Sequence, residues 1–536
     1  MTTADPSQSF RPRGVDFFAR GRVSPFWIKL GAILAVAAAM RLVFFRGMFA
    51  SDDVVYFNRA LEISHGIWTS SNYIGAIRYG VNIPIAGAIA LFGPSLMSAA
   101  LVPLLCSIGE IALVAVLVRP WWGERTALYS SVLLSFLPLH VQMATSIHAD
   151  PLLAFAITLT FVLFWSAESG GRSWLYFAAG LAAGYAYWIK EASVLFLLAF
   201  PIYAIAVRRW SWQWLYCAGG ALLAFAANCA LMWAVSGDPL HNLTVMHATV
   251  NSGWRGSKTA DHPLYYFAYL FGNIQHVWLA GYLAAFGAAH LALRWRDMNA
   301  GERKFAVFAS VWLAGLIAAF SFVPVSFSPL RFVMKQSNYM TIFLAPLAVM
   351  GAFGLSQVNS WARKSLLAAY VVGGFMLSAL AQQDARAYVA AGQAAEAYAA
   401  SHPGIQIYGT TRIAHLSLFH ARLRSLTAKP NILKLSELQN APPRPRQGIQ
   451  VVIDREALDH EPEKIPLHPA PSCWTRIGTL TPIGYGAGAT VVEAVISTAH
   501  LVPGSLGERL GEPFQHFLHP KLAEIFAVPP NRVWCR

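Results

Sequence analysis

The most restrictive feature of this sequence is a series of apolar runs, each long enough to cross the hydrocarbon core of a bilayer. A transmembrane helix needs roughly 20 consecutive, mainly apolar residues. Such runs lie near 26–45, 95–118, 126–145, 151–168, 174–190, 192–207, 213–235, 265–293, 305–325, 338–356 and 365–381. We therefore predict an α-helical polytopic membrane protein with about eleven transmembrane helices, and at most about thirteen.

The composition excludes other classes of protein. Charged residues make up 12% of the 536-residue chain and hydrophobic residues 56%, whereas about a quarter of an ordinary soluble domain is charged. The net charge of +14 would suggest a nucleic-acid partner in a soluble protein. In a membrane protein, basic residues in cytoplasmic loops explain this charge, so no nucleic-acid partner is predicted.

The basic residues between the runs predict the orientation of the chain. Lys and Arg are concentrated in the cytoplasmic loops of membrane proteins. Alternate loops of the eleven-helix arrangement contain Arg119 and Arg125, Arg172, Arg208 and Arg209, Arg294 with Arg296, Arg303 and Lys304, and Arg363 and Lys364. We therefore expect a multi-pass protein of the inner or plasma membrane, with a cytoplasmic N-terminus and an extracytoplasmic C-terminus.

These patterns divide the chain into three regions. Residues 1–25 form a cytoplasmic N-terminal segment, 26–381 form the transmembrane part and 382–536 form an extracytoplasmic soluble domain. Within the transmembrane part, 53–68 has the helical spacing of apolar residues that suits a helix on the outer membrane surface. The run 81–92 is too short to cross the membrane and is interpreted as a half-helix or interfacial segment.

The C-terminal region has the sequence pattern of a small α/β domain. Residues 405–409 and 448–454 resemble strands, and 411–424 lies between them as a predicted helix. Cys473 and Cys535 lie in this region, and we predict that they pair if it faces an oxidising compartment. Two separately buried thiols are the alternative.

Charged residues from distant parts of the sequence are predicted to meet at the outer face of the membrane. Charges at membrane depth are costly and are usually functional. These outer rim residues are Asp52, Asp53, Arg78, His148, Asp150, Lys190, His262, Arg331 and Lys335. We predict that they form a binding or catalytic site.

The residue types at the outer rim indicate the chemistry of that site. Lys and Arg bind phosphate through charge-assisted hydrogen bonds, and a carboxylate can accept a proton from an attacking hydroxyl. Beside lipid, this combination suits a lipid-phosphate donor and a hydroxyl acceptor, with displacement at the anomeric carbon of a sugar. No metal or other cofactor is predicted, because two clustered carboxylates supply few oxygen ligands; a divalent cation is the alternative.

Most of the outer rim residues also have a simpler interpretation. The adjacent Asp52 and Asp53 could be the polar start of a loop. Asp150 could cap a helix, and Lys190 could be neutralised by the glutamate that follows it. Arg331 and Lys335 are spaced one helical turn apart, which would let them hold one anion. They could instead extend towards the membrane surface, and the two histidines could be ordinary loop residues.

At these residues the chain resembles the GT-C glycosyltransferases of the protein O-mannosyltransferase and lipid A aminoarabinose transferase type. The order and spacing of five stretches carry the resemblance, which extends over most of 26–356. The stretches are SDDVVYF (51–57), HADPLLAF (148–155), GLAAGYAYWIKEASVLFLL (180–198), HPLYYFAYLF (262–271) and PLRFVMKQSNYMTIFLAPL (329–347). Asp53 replaces the usual glutamate of the acidic pair, and RYGVNIPI (78–85) lacks the usual Pro-Pro.

The resemblance implies a GT-C fold, a polyprenyl-phosphate sugar donor and inversion at the anomeric carbon. It implies that Asp52 is the catalytic carboxylate, and that Asp150 supports the acceptor or orders the site. Arg331 and Lys335 would hold the donor phosphate, with Lys190 as a weaker candidate. The expected function is transfer of a hexose or pentose to an envelope glycan, a lipid such as lipopolysaccharide, or a protein.

Two functions from other classes compete with this prediction. A transporter or flippase of lipid-linked sugars would use the same ligands, but such proteins often contain inverted repeats and midplane charges. The sequence shows no internal repeat, and its charges collect at one membrane face. A non-catalytic scaffold that binds through the C-terminal domain would leave the outer rim residues without a role.

Overall fold

The computed structural model describes residues 18–19, 22–251, 262–328, 330–440, 448–454, 470–480, 486–501, 505–515, 518 and 522–529. The helices are α1 (Pro25–Val43), α2 (Asp52–Ser64), α3 (Tyr79–Phe92), α4 (Leu96–Ser135), α5 (Pro138–Ala144), α6 (Ala149–Gly170), α7 (Ser173–Ile189), α8 (Ala199–Val207), α9 (Trp214–Ser236), α10 (His241–Asn251), α11 (Tyr265–Gly272), α12 (Ile274–Val277), α13 (Ala280–Leu293), α14 (Ala300–Phe322), α15 (Thr341–Gln357), α16 (Ser360–Ser401), α17 (Thr411–Arg424), α18 (Ala487–His500) and α19 (Ser505–Gln515). The 3-10 helices are Ile74–Ile77, Glu191–Leu198, Ser337–Met340 and Leu435–Asn440. The strands are β1 (Phe18–Ala19), β2 (Arg22–Val23), β3 (Pro324–Phe327), β4 (Leu330–Phe332), β5 (Gln406–Gly409), β6 (Ile432–Lys434), β7 (Ile449–Ile453), β8 (Thr475–Leu480) and β9 (Ala523–Val528).

The described residues confirm a largely helical fold with membrane-spanning character. Seven helices are long and apolar enough to cross a membrane, and three shorter apolar helices accompany them. The predicted run 126–145 is divided, because α4 ends at Ser135 and α5 follows after a break. The predicted run 265–293 is divided into α11, α12 and α13. The predicted number of crossings and their orientation stay predictions.

Small residues bring neighbouring helices into backbone contact. A Cβ atom on Gly180 of α7 would collide with the backbone carbonyl of Cys217 in α9. One on Gly220 of α9 would collide in the same way with Phe177 of α7. Transmembrane helices associate closely where glycine replaces larger side chains, because dispersion contacts replace the hydrophobic driving force there. Helices α7 and α9 therefore form a close-packed unit. Lys190, one of the outer rim residues, directly follows α7.

Two short helices connect the first apolar helix to the long α4. The helix predicted in 53–68 is confirmed as α2, whose buried face includes Val54, Phe57 and Leu61, and its place on the outer membrane surface stays a prediction. The short apolar run 81–92 is confirmed as α3, a helix of 14 residues. At 1.5 Å per residue, such a helix spans roughly 21 Å, less than the roughly 30 Å of the hydrocarbon core.

The C-terminal region contains a five-stranded mixed sheet with the order β6-β5-β7-β9-β8. Strand β5 is parallel to both β6 and β7, whereas β9 is antiparallel to β7 and β8. The predicted strands near 405–409 and 448–454 and the predicted helix between them are therefore confirmed. Cys473 is disulfide-bonded, and its predicted partner Cys535 lies outside the described residues.

Candidate active site

The two adjacent aspartates that begin α2 have different surroundings. Asp53 is fully buried, and its carboxylate accepts hydrogen bonds from the backbone N–H groups of Ser51 at 2.6 Å and Val54 at 3.0 Å, as well as from Phe49. Asp52 is half-buried. Neighbouring residues on a helix point about 100° apart, so only Asp52 is directed away from the turn that precedes α2.

Asp53 lies close to the beginning of α6 as well. Burial raises the pKa of Asp53, while the charge of His148 and the three backbone donors lower it. Burial lowers the pKa of His148, the residue before α6, and Asp150 and Asp53 raise it. The segments that follow α1 and α5 therefore bring their acidic residues together around His148.

Tyr73 holds the carboxylate of Asp52. Its hydroxyl donates a hydrogen bond to Oδ1 of Asp52 across 21 residues of sequence. Tyr73 directly precedes the 3-10 helix Ile74–Ile77. Sequence reasoning missed this residue, because an aromatic side chain in a polar outer loop gives no signal of its partner.

Arg78 is buried beside α2. Its Nη1 donates to the hydroxyl of Tyr56 at 2.9 Å, and its Nε lies 3.7 Å from Oε2 of Glu191. Burial raises the pKa of Tyr56. The charges of Arg78 and Lys190 lower this pKa, and the charge of Asp52 raises it. The Tyr56 hydroxyl is thus bonded to a buried cation one helical turn from Asp52.

Asp150 and Lys190 form a buried ion pair. The distance from Nζ of Lys190 to Oδ1 of Asp150 is 2.6 Å, and the two side chains are 4% and 2% exposed. Nζ also lies 4.5 Å from the ring centroid of Tyr339. The simpler interpretation that Lys190 is neutralised by Glu191 is wrong, because Glu191 faces Arg78. Asp150 lies in the first turn of α6, where the helix dipole favours a negative charge.

Arg331 and Lys335 do not lie on one helix, so the predicted helical spacing between them is wrong. Arg331 is in β4, which pairs antiparallel with β3, and Lys335 follows in a segment without regular secondary structure. Nζ of Lys335 donates to the carbonyl oxygens of Phe320 at 2.6 Å and Ser321 at 3.3 Å. These carbonyls lie at the end of α14, where a cation stabilises the helix dipole.

The structure therefore gathers some outer rim residues more closely than others. Asp52 lies one turn before Tyr56 on α2, Tyr56 bonds to Arg78, and Arg78 faces Glu191, the neighbour of Lys190. Asp150 is bonded to Lys190, and His148 interacts electrostatically with Asp53 and Asp150. Lys335 is connected to this group indirectly. Its Nζ bonds to the carbonyl of Phe320, whose ring packs against Tyr339 with ring centroids 5.7 Å apart, and Tyr339 lies beside Lys190. His262 is exposed before α11, and no contact with the other outer rim residues is found for it in the part of the chain that the structure describes.

A second cluster of ionisable residues, which sequence reasoning missed, lies inside the helix bundle. Arg41 donates to Oγ of Ser107 at 2.9 Å, and its Nη2 lies 2.6 Å from Nδ1 of His140. Nε2 of His140 lies 3.0 Å from Oε2 of Glu110. Because guanidinium nitrogens can only donate, Nδ1 of His140 must accept, and its Nε2–H donates to Glu110. The sequence does contain a signal for this cluster, because Arg41 and Glu110 are charged residues inside apolar runs.

This buried cluster connects the helices whose ends carry the site. Thr158 of α6 donates to Glu110 at 2.8 Å, so α1, α4, α5 and α6 all contribute. The segments beyond them are joined too: the backbone N–H groups of Arg46 and Gly47 donate to Thr145 at 3.2 and 3.0 Å. The cluster can therefore hold the two acidic segments of the site at a fixed separation.

Comparisons with known proteins agree with this architecture. The family model described as "Dolichyl-phosphate-mannose-protein mannosyltransferase" matches residues 81–233. The structure of ArnT from Cupriavidus metallidurans in the apo state is similar at a TM-score of 0.58 and 17% identity, covering 84% of this chain and 96% of that one. ArnT bound to undecaprenyl phosphate gives a TM-score of 0.57 with the same identity and coverage. No curated protein sequence matches the chain.

These similarities establish the fold. The chain has the GT-C fold of ArnT, and the resemblance that the sequence stretches predicted is confirmed. The residues matched by the family model extend from α3 to α9 and include Asp150 and Lys190.

Proposed function

We propose that this protein is a membrane glycosyltransferase that moves a sugar from a polyprenyl-phosphate donor to an acceptor hydroxyl outside the membrane. The observation that carries the proposal is the position of Asp52, which is half-buried, bonded to Tyr73 and one helical turn before Tyr56 on α2. Tyr56 in turn accepts a hydrogen bond from the buried cation Arg78. The undecaprenyl phosphate bound to ArnT and the description of the matching family support a lipid-phosphate donor.

The carboxylate of Asp52 acts as the general base in the proposed reaction. It takes the proton of the acceptor hydroxyl as the hydroxyl oxygen forms a bond to the anomeric carbon of the donor sugar. The bond from that carbon to the phosphate oxygen breaks, and its electron pair leaves with the polyprenyl phosphate. Attack opposite to the leaving phosphate inverts the anomeric centre.

The charges of the site decide which cations hold the leaving phosphate. Lys190 and Arg78 are balanced by Asp150 and Glu191, so these four residues together carry no net charge. A phosphate needs further positive charge, which Arg331 and Lys335 can supply from β4 and the segment after it. Arg331 is only half-buried in β4, whereas Lys335 is buried, so we assign the direct phosphate contact to Arg331.

Replacing these two cations should have separable effects. Arg331→Ala should raise the donor KM about tenfold or more, equivalent to roughly 1.4 kcal/mol of lost binding.

Lys335→Ala should also lower the unfolding temperature, because two carbonyls at the end of α14 lose their donor. Donor kinetics and thermal unfolding in detergent measure both, with Lys364→Ala as a control for loss of a basic residue elsewhere. Unchanged donor KM in Arg331→Ala would contradict the assignment.

Reconstitution tests the proposed function directly. Purified protein in vesicles is incubated with undecaprenyl-phosphate hexoses and pentoses and with envelope glycans, lipids and proteins as acceptors. A transferase releases free undecaprenyl phosphate and places the sugar on one acceptor class. A transporter or flippase moves the donor across the vesicle membrane without releasing free undecaprenyl phosphate, and that outcome would reject the proposal.

A further inference from the structure

The C-terminal domain meets the transmembrane part beside the acidic start of α2. Phe419 of α17 packs edge to face against Phe57 of α2, with ring centroids 4.7 Å apart. Helix α16 has 42 residues and spans about 63 Å at 1.5 Å per residue, so it extends from the transmembrane part into the C-terminal domain. Within it, Nε2 of Gln382 donates to the carbonyl oxygens of Val43 at 3.2 Å and Phe45 at 2.9 Å. The segment that connects α1 to α2 is therefore bonded to α16.

Further along α16, the ring of Tyr388 lies between two other side chains. The ring of Phe49 stacks on it, with centroids 4.1 Å apart and an angle of 6° between the two planes. The guanidinium carbon of Arg412 lies 2.9 Å from the centroid of the same tyrosine ring. Groups this close to the centre of a ring cannot share one face, so Phe49 and Arg412 cover opposite faces of Tyr388.

Arg412 belongs to the C-terminal domain and is held there by an ion pair. It lies at the start of α17, and its Nη1 is 3.7 Å from Oδ2 of Asp454, the residue that follows the middle strand β7. Both side chains are buried. Nη1 also donates to the backbone carbonyl of Tyr388 at 3.1 Å. A planar guanidinium stacks on an aromatic ring in a way that the compact ammonium of lysine does not.

Phe49 connects this stack to the acidic pair of α2. Its backbone N–H donates to Oδ2 of Asp53. The next residue, Ala50, has a φ angle of 59° in the left-handed region, which residues with a Cβ atom adopt only when their surroundings hold them. The guanidinium of Arg46, earlier in the same segment, lies 4.7 Å from the ring centroid of Phe49. The turn before α2 is therefore held at the side chain of Phe49 as well as at Asp53.

We propose that Tyr388 and Arg412 are positioning residues through which the C-terminal domain holds the turn before α2 and thereby the direction of Asp52. They act through Phe49, because the stack fixes its ring and its N–H binds Asp53, the neighbour of Asp52. The inference rests on the proposed function for its effect on turnover, whereas the holding of the turn is independent of that function.

The test removes the tyrosine ring and the guanidinium separately. Tyr388→Leu deletes the ring, whereas Tyr388→Phe keeps the ring and loses only the hydroxyl. Arg412→Lys keeps a positive charge beside Asp454 but loses the planar group that covers the ring. Tyr398→Leu is the matched control, because Tyr398 is a half-buried tyrosine of the same helix whose ring stacks on His402 with centroids 4.1 Å apart.

Amide hydrogen exchange of residues 46–54 and donor-dependent turnover are measured in the wild type and in all four variants. In Tyr388→Leu we expect exchange in this segment to accelerate about tenfold or more, because opening of the turn no longer has to break the stack. We expect kcat to fall about tenfold with the donor KM unchanged, since a displaced carboxylate affects the chemical step and not donor binding. Arg412→Lys should change both quantities in the same direction, while Tyr388→Phe and Tyr398→Leu should stay within about threefold of the wild type.

Wild-type exchange in Tyr388→Leu or in Arg412→Lys would overturn the proposal, and so would equal acceleration in Tyr388→Phe or in Tyr398→Leu. If Tyr388→Leu does not fold, Arg412→Lys carries the same decision. Accelerated exchange with an unchanged kcat would show that the turn is held without effect on Asp52, which would also overturn the positioning role. If the wild type transfers no sugar, the exchange result still decides whether the stack holds the turn, and only the proposed function fails.

Discussion

Asp52→Asn is expected to lose nearly all turnover while it still binds the donor. The acceptor hydroxyl is a poor nucleophile until its proton begins to leave, and general-base assistance contributes roughly 10²–10⁴-fold. Asparagine keeps the size of the side chain and can still accept the hydrogen bond from Tyr73, but it cannot take the proton. Single-turnover kinetics with undecaprenyl-phosphate sugar measure the chemical step, and binding of undecaprenyl phosphate measures the donor site separately.

Asp53→Asn is the matched control and should have a milder effect on turnover. Both oxygens of Asp53 accept backbone N–H groups: Oδ2 from Phe49, and Oδ1 from Ser51 and Val54. In asparagine, an NH₂ group replaces one of these oxygens. This group donates, as do the backbone N–H groups that it faces, so the turn before α2 should lose stability. Full turnover in folded Asp52→Asn protein would reject Asp52 as the base. A loss confined to Asp53→Asn would move the base by one residue.

The long helices were predictable from the sequence because each has a local signal. A run such as 151–168 exceeds the length needed to cross the bilayer, and α6 covers it with Ala149–Gly170. The short α2 was predictable from a different local signal, the helical spacing of apolar residues in 53–68. Breaks inside apolar runs were not predictable, because α11, α12 and α13 all lie within one apolar run, 265–293.

The geometry of the site was less predictable, since it depends on contacts between distant residues. Asp52 and Asp53 are the same residue type side by side, and the backbone N–H groups of Phe49, Ser51 and Val54 bind only the second of them, which is buried. Arg331 and Lys335 have helical spacing, yet pairing of β3 with β4 places the arginine in a strand. In both cases, backbone conformation overrides the residue pattern.

The buried cluster shows a different reason for failure. Arg41 and Glu110 are visible as charges within apolar runs, and such residues are functional candidates by default. Their connection through His140 requires α5 to pack beside α1 and α4, which no local pattern encodes. A search confined to the outer loops could not find it.

The ion pair of Asp150 and Lys190 leads to the largest expected effect on stability. Both side chains are almost fully buried at an N–O distance of 2.6 Å. Lys190→Met should therefore destabilise the protein by about 3–5 kcal/mol, because Asp150 is left as an unpaired buried charge. Adding Asp150→Asn should recover much of that loss, since the double variant contains no buried charge at this place. Thermal or denaturant unfolding in detergent measures each step.

The pair of Arg119 and Glu124 provides a control with matched geometry and different burial. Its N–O distance is 2.7 Å, but the glutamate side chain is 53% exposed. Exposed pairs contribute about 0–1 kcal/mol, so Glu124→Gln should have little effect on unfolding. If Lys190→Met were no more destabilising than Glu124→Gln, burial of the pair would not be what holds the ends of α6 and α7 together. If the double variant were as unstable as Lys190→Met, the loss would come from packing of the lysine chain against Tyr339 rather than from the orphaned carboxylate.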